Sequence, residues 1–348
     1  MDNRDALLQR FLDKNGWGDA RQTPLTGDAS RRHYIRLKNE TQSVMVMDAP
    51  PPDEDVKPFV KIARFLHDRG LSAPEIIAAD SKNGFLILED FGDDTYSRIL
   101  ADHPDSEQNL YRHAVDILVF LHSLPPDQAL PPDTPGYYTE ILLFEAMLLV
   151  DWYLPAMGNE RLSTVHKEEY RTLWRDVFDG LDKSKPCLVL RDYHVDNLMK
   201  IDGRPGFKSC GLLDFQDALI GHRAYDLMSL LEDARRTIPP ALKQNMLERY
   251  CRNFPELETG SPERAVFERD FAVLAAGRHA KVIGIFTRLC LRDNKPIYLE
   301  HIPRVWGLLE NALDHKDLRP LQDWLRQHIP KQMRRIPENS TLKRDAHA

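Results

Sequence analysis

The sequence predicts an α+β protein of two lobes, a small β-rich N-lobe followed by a larger, mainly helical C-lobe. Three observations carry this reading. Strand-like segments and one amphipathic helix fill most of the first ninety residues, and apolar residues at helical spacing dominate from about Ser106 onward. Two short apolar runs, CLVLRD (187–192) and CGLLDF (210–215), interrupt the helical part, and each delivers an aspartate at its end. Residues 1–92 are therefore expected to form the N-lobe and 93–331 the C-lobe, with 332–348, poor in apolar residues, as a mobile tail.

Each element has its own justification. Leu7, Leu8, Phe11 and Leu12 recur at helical spacing over residues 4–14 and the pattern breaks at Asn15-Gly16, so a short helix opens the chain. HYIRLKNETQSVMVMD (33–48) reads as two strands around a polar turn at Lys38 to Thr41, preceded by the loop TGDAS (26–30). After the prolines at 50–52, KPFVKIARFLHDR (57–69) places Phe59, Ile62, Phe65 and Leu66 on one helical face, and Gly70 ends the helix. FLILEDF (85–91) is a further buried strand. In the C-lobe, CLVLRD and CGLLDF are joined by a polar loop with a turn at Asp202-Gly203.

Composition excludes several classes of function. A formal net charge of −7 with no basic run is the wrong footprint for a general nucleic-acid binder. Cys187, Cys210, Cys251 and Cys290 are widely spaced without a CxxC pair, so neither a zinc site built on thiolates nor a disulfide framework is indicated. The N-terminus is acidic and amphipathic, unlike a signal peptide, and no apolar window is long enough to span a bilayer. The expectation is a soluble cytoplasmic protein with no nucleic-acid or membrane partner; no exposed apolar stripe or coiled-coil heptad stands out to fix the oligomeric state, and a monomer is favoured.

The chemistry concentrates in LVLRDYHVDNLMK (188–200). Asp192 and Asn197 are separated by four residues, the D-x-x-x-x-N spacing of a phosphotransferase catalytic loop, and Asp214-Phe215 supplies a second acid after a turn. Carboxylate and amide oxygens suit a hard cation such as Mg²⁺, which phosphate oxygens complete. In that arrangement Asp192 accepts the proton of an attacking hydroxyl, while Asn197 and Asp214 hold the metal. Taken singly, each Asp could merely cap a turn. The joint spacing, with an apolar run before each acid, favours the catalytic reading.

LRDYHVDN followed by LLDFQDALIGHRAYDL (212–227) resembles the catalytic segment of the aminoglycoside phosphotransferase family, small-molecule kinases with a protein-kinase-like fold. GDASRRHYIRL (27–37), VMVMDAPP (44–51) and GIFTRL (284–289) are further similar to the bacterial anomeric kinases that phosphorylate N-acetylmuramate and N-acetylglucosamine at carbon 1 in peptidoglycan recycling. The resemblance runs from about Leu7 to about Trp324 and implies ATP and Mg²⁺ as cofactors. It also implies that Gly27, Ser30 and Arg32 meet the phosphates and that the main chain of Glu89 and Phe91, ahead of Gly92, meets adenine. Asp226 corresponds to an aspartate that anchors the catalytic loop. His194, Glu145, Trp152 and Arg278 are the candidate acceptor contacts, with His279 and Lys281 beside them.

The chain departs from the family pattern in two respects. Leu190 stands where a histidine usually braces the loop. Strand VMVMD lacks the lysine that reaches the α- and β-phosphates, and the body of the following helix has no glutamate to pair with it, so either Arg32, Arg36 or Lys57 takes over part of that charge or phosphate binding relies on Mg²⁺ and backbone groups. A kinase of another small alcohol (an aminoglycoside, homoserine or choline) and a nucleotide-binding pseudokinase remain the alternatives.

Overall fold

The computed structural model describes residues 2–25, 32–158 and 162–338. Packing divides the chain into two compact units, Met1–Ile117 with Leu190–Ala218, and Leu118–Val189 with Leu219–Ala348. The segment carrying Asp192, Asn197 and Asp214 thus packs with the N-terminal sheet.

In the first unit, helix α1 (Asp2–Lys14) precedes strands β1 (Arg21–Pro24), β2 (His33–Lys38) and β3 (Ser43–Asp48), and helix α2 (Lys57–Asp68) separates these from β4 (Ile76–Asp80) and β5 (Phe85–Glu89). The five strands form one antiparallel sheet in the order β1-β2-β3-β5-β4. The predicted hairpin pairs Leu37 with Val44. Its turn is closed by Asn39, whose Oδ1 accepts from the backbone N–H groups of Thr41 at 3.0 Å and Gln42 at 2.8 Å. The apolar run of β5 is explained by its place between β3 and β4, buried along nearly its whole length. Strands β1 and β4 escaped the sequence reading for a physical reason. RQTP is a fully exposed edge strand ending on a proline, and IIAAD lies at the opposite edge with no fully buried residue. Leu8, Phe11, Leu12 and Trp17 cover one sheet face against Leu37, Val44, Val46, Phe85 and Ile87. Helix α2 buries the predicted Phe59, Ile62, Phe65 and Leu66, and Gly70 ends it at φ +76°.

Helices α3 (Tyr96–Asp102) and α4 (Glu107–His122) follow. In the second unit, α5 (Thr139–Leu148) continues through a π-turn, Leu149–Tyr153, into the short α6 (Leu154–Ala156), then α7 (Thr164–Asp179) and strand β6 (Pro186–Val189). The chain then contributes β7 (Leu198–Lys200) and β8 (Cys210–Leu212) to the first unit. It completes the second with β9 (Leu219–His222), α8 (Ala224–Leu231), α9 (Pro240–Cys251), α10 (Pro262–Asp293), α11 (Ile302–Ala312) and α12 (Arg319–His328). The two predicted apolar runs do not pair with each other. Instead β6 pairs with β9 and β7 with β8; the partner strands Leu198–Lys200 and Leu219–His222 are too short for alternation to reveal them in the sequence.

The long α10 organises the second unit. A Cβ at Gly284 would lie 2.3 Å from the backbone of Leu148, so α10 and the end of α5 meet backbone to backbone. The glycine of GIFTRL is therefore a packing device. The first residues of the expected tail are anchored: the Tyr153 hydroxyl accepts from the Arg335 N–H at 3.0 Å and donates to the Arg335 carbonyl at 2.7 Å, and Arg334 pairs with Glu310 at 2.5 Å.

A surface cluster here carries an acid-stability prediction. Burial pushes the Glu256 carboxyl up, but hydrogen bonds from Lys185 (2.5 Å) and Arg223 (2.8 Å) outweigh it and bring the pKa down from 4.5 to about 2. A depressed carboxylate contributes stability above its unfolded value that is lost as pH falls towards the folded one. Glu256→Gln should lower stability by about 1 kcal/mol at pH 7, after screening at this half-exposed site. That deficit should vanish between pH 4.5 and about 2, as read from urea midpoints of the two proteins.

Candidate active site

A γ-turn opens the loop that carries Asp192. The Asp192 N–H donates to the Leu190 carbonyl at 2.9 Å, with Arg191 between them at φ +71°. That backbone region is costly for a long side chain, and the burial of Leu190 and Tyr193 on either side maintains it. The Tyr193 hydroxyl donates to the Ala114 carbonyl at 2.8 Å, so the loop has an apolar brace at Leu190 and a tyrosine anchor where a histidine was expected. A single 3₁₀ turn, Val195–Asn197, leads into β7. The Leu213 N–H then donates to the Asn197 carbonyl at 2.9 Å, which brings Asn197 and Asp214 side by side at one end of the β7–β8 ladder. Asp214 itself has φ +55°, and the Phe215 ring behind it is fully buried against Phe59 at 4.8 Å.

Side-chain contacts orient this pair. Asn197 Nδ2 donates to the Asp192 carbonyl at 2.9 Å and lies 3.5 Å from Asp214 Oδ2, which leaves the amide oxygen as the atom to offer a cation. Asp214 Oδ1 accepts from Gln216 Nε2 at 2.6 Å. The Asp214 side chain reaches solvent, yet protein atoms crowd its other sides. That desolvation, with the charge of Asp192, pushes its carboxyl above the usual range. Two carboxylates and an amide oxygen, mutually repelling and hard in character, are a donor set that fits a divalent cation. His194 is half-buried, with Nε2 at 3.3 Å from Asn197 Nδ2 and Nδ1 at 3.7 Å from the Asp196 carboxylate.

The sequence left open what replaces the strand lysine. Arg36 is committed elsewhere: it pairs with Asp90 at 2.7 Å and Asp93 at 2.9 Å and donates to the Gly92 carbonyl at 3.0 Å, bracing the segment after β5. Lys57 is exposed at the start of α2. Arg32 pairs with Glu54 at 2.9 Å, and both lie within electrostatic reach of the phenol of Tyr34, as does Asp214. The Arg32–Glu54 pair and Asp214 therefore share Tyr34 as a neighbour. Sequence reasoning missed Glu54 because it searched the body of α2, whereas Glu54 lies in the turn before it; a carboxylate at PPDED (51–55) was the available signal. Gly27 and Ser30 lie outside the described residues.

At the end of β5, the Glu89 N–H is spent on the Glu75 carbonyl at 2.8 Å and its carboxylate on Arg204, so only its carbonyl oxygen could meet a ligand. The Phe91 ring packs on Gly211, where a Cβ would come within 2.6 Å of it. In the second unit, Glu145 is buried with both oxygens engaged, one by Lys281 at 2.8 Å and the other by the Tyr137 hydroxyl. Arg278 reaches the Tyr225 hydroxyl at 3.3 Å, and Tyr225 in turn meets Tyr137 at 2.9 Å. His279 is sealed against Glu232 at 2.6 Å. Trp152 is half-buried in the π-turn, and Asp226 is buried in the first turn of α8.

Comparison with known proteins places these features in context. A model of the phosphotransferase enzyme family matches residues 21–262. An N-acetylmuramate/N-acetylglucosamine kinase of Caulobacter vibrioides is 34% identical, the match covering 95% of this chain and 98% of that protein. One from Pseudomonas aeruginosa is 37% identical over 89% of each. Among solved structures, a choline kinase from Streptococcus pneumoniae matches 90% of this chain and 99% of its own with a TM-score of 0.58, at 12% identity, a likeness of fold.

Proposed function

The chain belongs to the phosphotransferase enzyme family, and from that premise we propose that it is an ATP-dependent amino-sugar kinase acting on the anomeric hydroxyl of N-acetylmuramate or N-acetylglucosamine. The observation that carries the reading is the placement of Asn197 beside Asp214 with Asp192 on the adjoining γ-turn. Asp192 takes the proton of the carbon 1 hydroxyl as its oxygen bonds to the γ-phosphorus and the bond from that phosphorus to the β–γ bridging oxygen breaks, giving the sugar 1-phosphate and ADP. Asn197 and Asp214 would hold Mg²⁺, which supplies neutralisation of phosphate charge when bound. Arg32, positioned by Glu54, takes the role of the missing strand lysine. Gly27, Ser30 and the main chain of Glu89 and Phe91 bind the nucleotide. Residues 1–92 act as the nucleotide lobe and 93–331 carry the catalytic loop and the acceptor contacts, His194, Trp152 and Arg278 foremost, with Glu145 holding Lys281 among them. The product fits peptidoglycan recycling in the cytoplasm, where ATP is available. Among the described residues no helix is long and apolar enough to cross a membrane.

Phosphorus NMR on the enzyme with Mg-ATP and a panel of N-acetylmuramate, N-acetylglucosamine, kanamycin and homoserine tests the reading. A new sugar 1-phosphate signal is expected with the amino sugars. Phosphorylation of kanamycin or homoserine alone would move the assignment to another alcohol, and bound but unconsumed ATP would favour the pseudokinase. Asp214→Ala should weaken Mg-ATP binding at least about tenfold by calorimetry. Unchanged affinity would move the metal site elsewhere.

A further inference from the structure

Within the second unit, three side chains of metal-ligand type converge. His166 and Glu169 stand three residues apart at the start of α7, and His328 is the last residue of α12. Their ligand atoms all lie within 4.8 Å of one another. We propose that His166, Glu169 and His328 bind a borderline divalent transition-metal ion of the zinc class, clamping the end of α12 to the start of α7.

The donor chemistry selects the ion. Two imidazole nitrogens and one carboxylate form the three-ligand set that zinc takes with a water in the fourth position, and they disfavour Mg²⁺, which demands oxygen. The helical spacing is suitable, because residues i and i+3 lie on one face. A tetrahedral centre with bonds of about 2.0–2.1 Å sets its donors about 3.4 Å apart, so about 1 Å of side-chain rotation closes the triangle.

The surroundings preorganise the ligands. The Trp324 ring lies 4.4 Å from that of His328, Tyr170 packs on Trp324 at 4.6 Å, and the His166 and His328 rings are 4.5 Å apart. The Ser163 side chain caps α7 by accepting from the His166 N–H at 3.2 Å, which fixes the backbone beneath the first ligand. Among the described residues, none of the three side chains makes a hydrogen bond or ion pair of its own. A carboxylate facing two close imidazoles without bonding to either is the arrangement a cation between them would complete.

The test uses the full-length enzyme, stripped with chelator and desalted, and titrated with Zn²⁺ in excess Mg²⁺ so that the oxygen-donor site is occupied. One additional Zn²⁺ site and a rise of a few degrees in melting temperature are expected. Co²⁺ in place of Zn²⁺ should show the visible absorption of a four- or five-coordinate centre. His328→Gln and Glu169→Gln should each lower Zn²⁺ affinity at least about tenfold and abolish the cobalt spectrum, with the metal-free melting temperature unchanged. His166→Ala/His328→Ala should lose the site altogether. Unaltered Zn²⁺ affinity in that double variant, or no thermal response of the parent enzyme, would overturn the proposal. His328→Gln keeps the size of the side chain and decides the matter should the alanine variant fold poorly.

Discussion

Asp192→Asn is expected to lower turnover with amino sugar by about 10²–10⁴-fold while leaving ATP affinity within about twofold. Turnover falls through lost proton acceptance, while the backbone of the loop is kept, since asparagine matches aspartate in shape and the γ-turn, built from the Leu190 carbonyl and the Asp192 N–H, involves no side-chain atom of residue 192. An anomeric hydroxyl is more acidic than an ordinary alcohol, so the effect should sit nearer the lower bound with sugars than it would with choline. A secondary effect follows from charge. Asp192 raises the Asp214 carboxyl, so removing its charge lets Asp214 ionise more readily, and cation binding at mildly acidic pH should strengthen even as turnover falls. Rapid-quench turnover and calorimetric ATP binding on the same preparation separate the two. Retained turnover would remove Asp192 from the role of base, whereas equal loss of turnover and ATP affinity would mean the loop had collapsed.

The candidate catalytic loop was legible because its residues are close in the chain. D-x-x-x-x-N and the later D-F are spacings along the chain, and one turn with one short ladder converts them into a cluster. The hairpin, α2 and β5 were legible because each carries a full period of its own pattern. What escaped depends on distant partners. Strand β1 has no buried residue to betray it, and β9 exists only because β6 lies opposite. Glu54 becomes meaningful only when Arg32, twenty-two positions earlier, arrives beside it. Glu145 and Lys281 each read as plausible sugar contacts on apolar helices. Their separation by 136 positions hid the fact that they satisfy each other.

That buried pair gives the largest expected effect on stability. Lys281→Met should destabilise the protein by about 3–5 kcal/mol, because it removes the ammonium that lies 2.8 Å from the buried Glu145 carboxylate. The desolvation cost of Glu145 is then less well offset than in the native pair, where each ion balances the other. Replacing both, Glu145→Met with Lys281→Met, removes the charges together and should recover stability to within about 1 kcal/mol of the parent. Tyr137 would still find the Tyr225 hydroxyl at 2.9 Å in that variant. Urea unfolding of the two single variants and the double variant completes the cycle, and a coupling energy near zero would mean that water already screens the pair. The folded double variant also decides what Glu145 does in the native enzyme. A KM for sugar raised tenfold or more is expected if the pair stands among the acceptor contacts, and an unchanged KM would mean that it only holds α5 to α10.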